Sequence, residues 1–118
     1  MNLLDTKSFD FSVRIVKLNK YLQQTHNEFV LSRQLLRSGT AVGALIAEAQ
    51  YAQSKADFIH KLQVSLKEAN ETRYWLRLLH ACDYLSDKMF HHILEDTESL
   101  IKLLTSSINT SKKRLHAK

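Results

Sequence analysis

A chain of 118 residues with no proline and only two glycines contains almost nothing that must interrupt a helix. Proline removes a backbone donor and clashes with the preceding turn, and glycine costs about 1 kcal/mol relative to alanine inside a helix. Helix ends are therefore left to capping residues and to breaks in apolar periodicity. Runs that alternate with the period of a strand are absent from the sequence. Apolar residues make up 44% of the chain, enough to bury a core within one domain spanning residues 1–118. The expected class is all-α.

The periodicity predicts four helices. The first runs over about residues 9–24, with Phe11, Ile15, Leu18 and Leu22 on one face and Arg14, Lys17 and Lys20 on another. Asn27, followed by Glu28, is read as the N-cap of a second helix over about 28–53, whose seam is Leu31, Leu35, Ser38, Val42, Leu45, Ala49 and Ala52. Ser54 and Asp57 have capping-box spacing and open a third helix over about 55–82, with Phe58, Leu62, Ser65, Ala69, Thr72, Leu76 and Leu79 in the same rhythm. Ser86 or Asp87 caps a fourth over about 87–109, striped by Phe90, Ile93, Leu94, Thr97, Ile101, Leu104 and Ile108. Short connections make sequential helices antiparallel, giving an up-down-up-down four-helix bundle. The basic tail, residues 110–118 with Lys112, Lys113, Arg114 and Lys118, is expected to fray.

Lysine and arginine exceed aspartate and glutamate by 17 to 12, a formal charge of +5 that biases encounters toward polyanions. The single cysteine, Cys82, rules out an intrachain disulfide and reads as a buried, reduced thiol. The first residues, MNLLDTKSFD, lack the pattern of a signal peptide, and no apolar run approaches the length, about 20 residues, that spans a bilayer. A cytoplasmic protein without membrane insertion is expected.

Chemistry is thinly represented. A metal-binding bundle brings Glu-x-x-His pairs from two helices together with further carboxylates, whereas His91 with Glu95 and His92 with Asp96 are isolated one-turn pairs. No metal or cofactor is expected. Arg73 and His80, six residues between them, lie on one face and resemble the Arg-x(4 to 6)-His signature of helical ribonucleases of the HEPN type, in which the arginine holds phosphate and the histidine moves protons. Tyr74, however, stands where that signature has a polar residue, and a solvated arginine beside a helix-end histidine is the preferred account of the pair.

Three other features point to packing and binding. Gly39 and Gly43, one turn apart among small residues, call for the close approach of another helix, within the chain or from a second subunit. Trp75 lies off the third seam, beside Glu68 and Glu71, where it either meets a partner or covers the flank of the bundle. Arg14, Lys17, Lys20, Arg33 and Arg37 are the candidate contacts for RNA or DNA.

The segments Arg37-Ser38-Gly39-Thr40, Ile46-Ala47-Glu48-Ala49, Ser54 to Ile59, Lys67 to Thr72 and Tyr74-Trp75-Leu76 resemble, over nearly the whole chain, a known family. It is the four-helix bundle protein family first known from intervening sequences in bacterial 23S ribosomal RNA genes. The resemblance implies a closed homo-oligomer, typically a pentamer. The family also takes in the accessory protein of diversity-generating retroelements, so a reverse transcriptase or nucleic acid is an implied partner, and no enzymatic role is implied. Arg37, Ser38 and Glu48 match the second-helix motif, and Lys67, Glu68, Glu71 and Trp75 the third-helix motif. Ala41 and Leu45 depart from the serine and asparagine frequent in the family, implying a thinner polar network here. The expected function is thus a non-catalytic homo-oligomeric bundle that meets phosphates or a nucleic-acid enzyme through basic faces. The alternative is a scaffold in which Glu48, Glu68 and Glu71 pair across subunits with Arg37, Lys67 or Arg73.

Overall fold

The computed structural model describes residues 2–117 and contains four α-helices, with no strand among the described residues. They are α1 (Leu3–His26), α2 (Leu31–Ala49), α3 (Lys55–Ala81) and α4 (Asp87–His116). Three short turns join them, and the bundle measures 53 × 22 × 21 Å. Each of α2·α3, α1·α2 and α3·α4 packs closely, while α1 and α4 meet only sparsely.

Helix α1 starts at Leu3 rather than Phe9. The Asn2 side chain accepts the Asp5 N–H at 2.8 Å, and Leu4 and Ser8 extend the buried seam of Phe11, Ile15, Leu18 and Leu22 toward the N-terminus. Asn27 is not the N-cap of α2. It closes α1 in the left-handed conformation, φ 51°, and the Glu28 N–H then returns to the Leu22 carbonyl. The cap of α2 is the Glu28 carboxylate, which accepts the N–H groups of Val30, Leu31 and Ser32 at 3.2, 3.1 and 2.7 Å. Those donors have no partner inside a helix, so one side chain satisfies most of the exposed helix end. Burial pushes the Glu28 carboxyl up, but the three backbone bonds outweigh it and hold the group below the usual carboxylate range.

Helix α2 ends at Ala49, so Ala52 lies in the turn to α3 instead of in the seam. At the start of α3 Ser54 accepts the Asp57 N–H at 3.0 Å, while Asp57 accepts the N–H of Gln53 at 3.2 Å. Helix α4 is capped by Ser86, buries Leu100 as well as the expected stripe residues Phe90, Ile93, Thr97, Leu104 and Ile108, and leaves Leu94 and Ile101 half-buried. The tail does not fray at Asn109. Ile108 is buried, Ser111 half-buried, and Lys112, Lys113 and Arg114 sit at the negative end of the helix dipole, so the helix continues to His116. Lys118 lies outside the described residues. Cys82, read as buried, is exposed at the end of α3.

Close approach explains both glycines. A Cβ on Gly39 would fall 2.8 Å from Ile15 Cγ2, and one on Gly43 would fall 2.7 Å from Ser12 Oγ, so both make room for α1 of the same chain. Asn19 ties the same pair together by donating to the Ser32 carbonyl at 2.9 Å. No helix among the described residues is long and apolar enough to cross a membrane.

Candidate functional site

The two family-like motifs face each other across α2 and α3. Ser38, Ser65 and Thr72 are fully buried there, and small side chains let the two backbones come close. Their hydroxyls are all satisfied: Thr72 donates to Ser38 Oγ at 2.9 Å, and Ser65 to the Val42 carbonyl at 2.9 Å. Over the outer edge of this seam Arg37 reaches from α2 to α3, pairing with Glu71 and, at 3.3 Å, with Glu68. Trp75 donates its indole N–H to Glu71 at 3.0 Å. That bond first, and the Arg37 guanidinium second, hold the Glu71 carboxyl below its usual range. The indole is half-buried, edge-on to the exposed ring of Tyr74. Glu68 and Glu71 thus find Arg37 within their own chain. Lys67 is exposed beside this cluster, and Glu48 is exposed farther along α2.

The five basic candidates do not converge. Arg14 is paired with Asp96 across α1 and α4, and Arg37 is held as above. Lys17, Lys20 and Arg33 are exposed, with no carboxylate partner among the described residues. Because Asn19 bonds to Ser32, Lys20 and Arg33 stand at one level of the bundle on neighbouring helices. Arg73 and His80 are each engaged elsewhere. Arg73 donates to Asn70 at 2.8 Å and lies 3.9 Å from Glu98, while His80 sits 2.7 Å from Asp87 and stacks on Phe90 at 4.1 Å. The His80 hydrogen bond draws the Asp87 carboxyl below its usual value. No cluster of three potential metal ligands occurs among the described residues: Asp96 serves Arg14, and His91 Nδ1 is bonded to the Asp87 carbonyl.

Residues 4–106 match the 23S rRNA-intervening sequence protein family. The chain belongs to this family. It is similar to a solved structure from Bacteroides thetaiotaomicron VPI-5482, a protein with unknown function from the S23 ribosomal protein family. The two are 51% identical, with 90% of this chain and 98% of that one covered and a TM-score of 0.89. No curated protein matches the chain.

Two surfaces of this family member escaped the sequence reading. The outer face of α1 exposes Phe9, Val13 and Val16, the phenylalanine to 70%, at helical spacings of four and three. That signal was available, since the three recur on the side opposite Phe11 and Ile15. The second is a groove of about 380 Å³ where α1 and α4 stand apart, floored by Leu18, Tyr21, Met89 and Ile93. No single-helix pattern announces a gap between two helices.

Proposed function

We propose that this family member is a self-associating helical bundle that holds a polyanion, RNA or DNA, on its outer basic surface and catalyses no reaction. The observation that carries the reading is the pair of uncompensated cations, Lys20 and Arg33, at one level on the outside of α1 and α2; Lys17 lies at the groove between α1 and α4 instead. Lys112, Lys113 and Arg114 add charge at the far end of α4. Arg14 and Arg37 are largely neutralised by their carboxylates and contribute less to the outer field. A closed ring, five-membered by family resemblance, multiplies weak phosphate contacts through avidity, and a nucleic-acid enzyme such as a reverse transcriptase is a partner of the same complex. A free, exposed thiol suits a reducing cytoplasm.

Fluorescence anisotropy of protein of known oligomeric mass, against structured RNA and duplex DNA across a salt series, tests this reading. The expected result is micromolar or tighter binding with a steep salt slope, weakened at least tenfold by Lys20→Ala/Arg33→Ala and little changed by Arg37→Ala. Absence of binding at low salt refutes it. A second reading, self-assembly with no nucleic-acid role, is favoured by the exposed Phe9, Val13 and Val16. It predicts that Val13→Asp lowers the mass in sedimentation while no nucleic acid binds.

A further inference from the structure

The groove between α1 and α4 combines two properties that no contact within the chain uses together. Its floor is apolar and includes Met89, a flexible, polarizable side chain that adapts to varied shapes. Its rim carries Lys17, Lys88 and His92, all exposed and without a carboxylate partner among the described residues. The only acid at the groove, Asp96, is taken by Arg14. An apolar trough edged by two unanswered lysines, with an imidazole beside them that can donate a hydrogen bond, calls for an occupant that is apolar on one side and acidic at its margins.

We propose that this groove takes an acidic amphipathic helix of a partner protein, with apolar side chains on Leu18, Tyr21, Met89 and Ile93 and carboxylates on Lys17, Lys88 and His92. The shape favours a helix. From Arg14 to Tyr21 the α1 wall runs about 10 Å, room for two turns and for apolar residues at i and i+4. The trough is open along its length, so a small molecule would be covered on one side only, whereas a helix laid along the seam completes the packing that α1 and α4 leave undone. A nucleic-acid backbone answers the rim charges but makes no use of the floor. The occupant therefore differs from the polyanion of the preceding section, which is tested through Lys20 and Arg33.

Selection of a displayed library of helical peptides against the full-length chain, followed by anisotropy of the enriched peptides, tests the proposal. Enriched peptides are expected to carry aspartate or glutamate flanking two large apolar residues one turn apart. Met89→Asp and, independently, the surface variant Lys17→Glu/Lys88→Glu are each expected to weaken them at least tenfold, with helicity unchanged and with structured RNA failing to compete. Failure to enrich any peptide, enrichment of neutral or basic peptides, or binding that survives both variants overturns it. So does displacement of the peptides by RNA, which reassigns the rim to phosphate, and so does dissociation of the wild-type oligomer by Lys17→Glu/Lys88→Glu, which makes a second copy the occupant. Retained RNA binding beside lost peptide binding, or the reverse, separates this proposal from the polyanion reading.

Discussion

The α2–α3 side of the bundle and the α1–α4 side are built from the same kind of helix and end up with opposite characters. Midway along the α2–α3 seam the buried positions are small, Ser38, Val42, Ser65, Ala69 and Thr72, and the backbones close until hydroxyls reach across. Between α1 and α4 the side chains are larger, and apart from the Arg14–Asp96 pair and a Lys7–Ser99 hydrogen bond of 3.3 Å little bridges the gap. Chain connectivity contributes to the difference. A short turn draws together each of the other neighbouring pairs, whereas α1 and α4 are the two ends of the chain and no turn pins one to the other. Small residues thus bring helices close only where their polar groups find acceptors, and a pair of helices left without a turn can keep a groove that large side chains do not fill.

The contrast can be broken by mutation. Ser65→Leu should cost about 3 kcal/mol in urea unfolding, the upper end for overpacking, because the leucine has no room and the bond to Val42 is lost. Ser99→Leu on the open side, half-buried beside a groove with room for the leucine, should cost no more than about 1 kcal/mol, the net worth of the Lys7 hydrogen bond it deletes. Equal losses at the two sites would remove the asymmetry. Glu28→Ala should cost about 2 kcal/mol, since three backbone donors lose their acceptor at a capped helix end. The sign with pH follows from its lowered folded-state value: the contribution is complete above the unfolded carboxyl pKa and vanishes as pH falls through the folded one. Wild type should therefore lose more stability on acidification than Glu28→Ala, as read from denaturation midpoints across the acid range, and parallel curves would refute the cap. Thr72→Val should cost about 1 kcal/mol, the net worth of the hydroxyl bond it deletes. Asp96→Asn should change stability by less than about 0.5 kcal/mol, as an exposed ion pair does, and a larger loss would show the open side to be held more firmly than its geometry suggests.

Much of this architecture was legible in the sequence, unevenly. The third seam was read almost residue by residue, because Leu62, Ser65, Ala69, Thr72, Leu76 and Leu79 keep one rhythm without interruption and all are buried. The start of α1 is hard to see in the sequence because its cap, Asn2, is followed after Leu4 by a polar stretch, Asp5 to Ser8, of which only Ser8 is buried. Asn27 is ambiguous in the sequence because asparagine serves both as an N-cap and as a left-handed C-terminal residue, and its neighbours fit either. The link between Glu71 and Trp75 lies within one helix, four residues apart, and so could be read. Those from Arg37 to Glu68 and Glu71, and from Arg14 to Asp96, cross between helices, and periodicity within one helix does not say which faces will meet.

The continuation of α4 to His116 changes what its last cations can do. Successive residues of a helix point about 100° apart, so Lys112, Lys113 and Arg114 look outward in three directions around a stiff rod instead of gathering on one side as a loose tail could. A flat or straight ligand can touch one or two of them. To engage all three at once a partner would have to curl around the rod, so the helix end sets a demand on a ligand's curvature as well as on its charge.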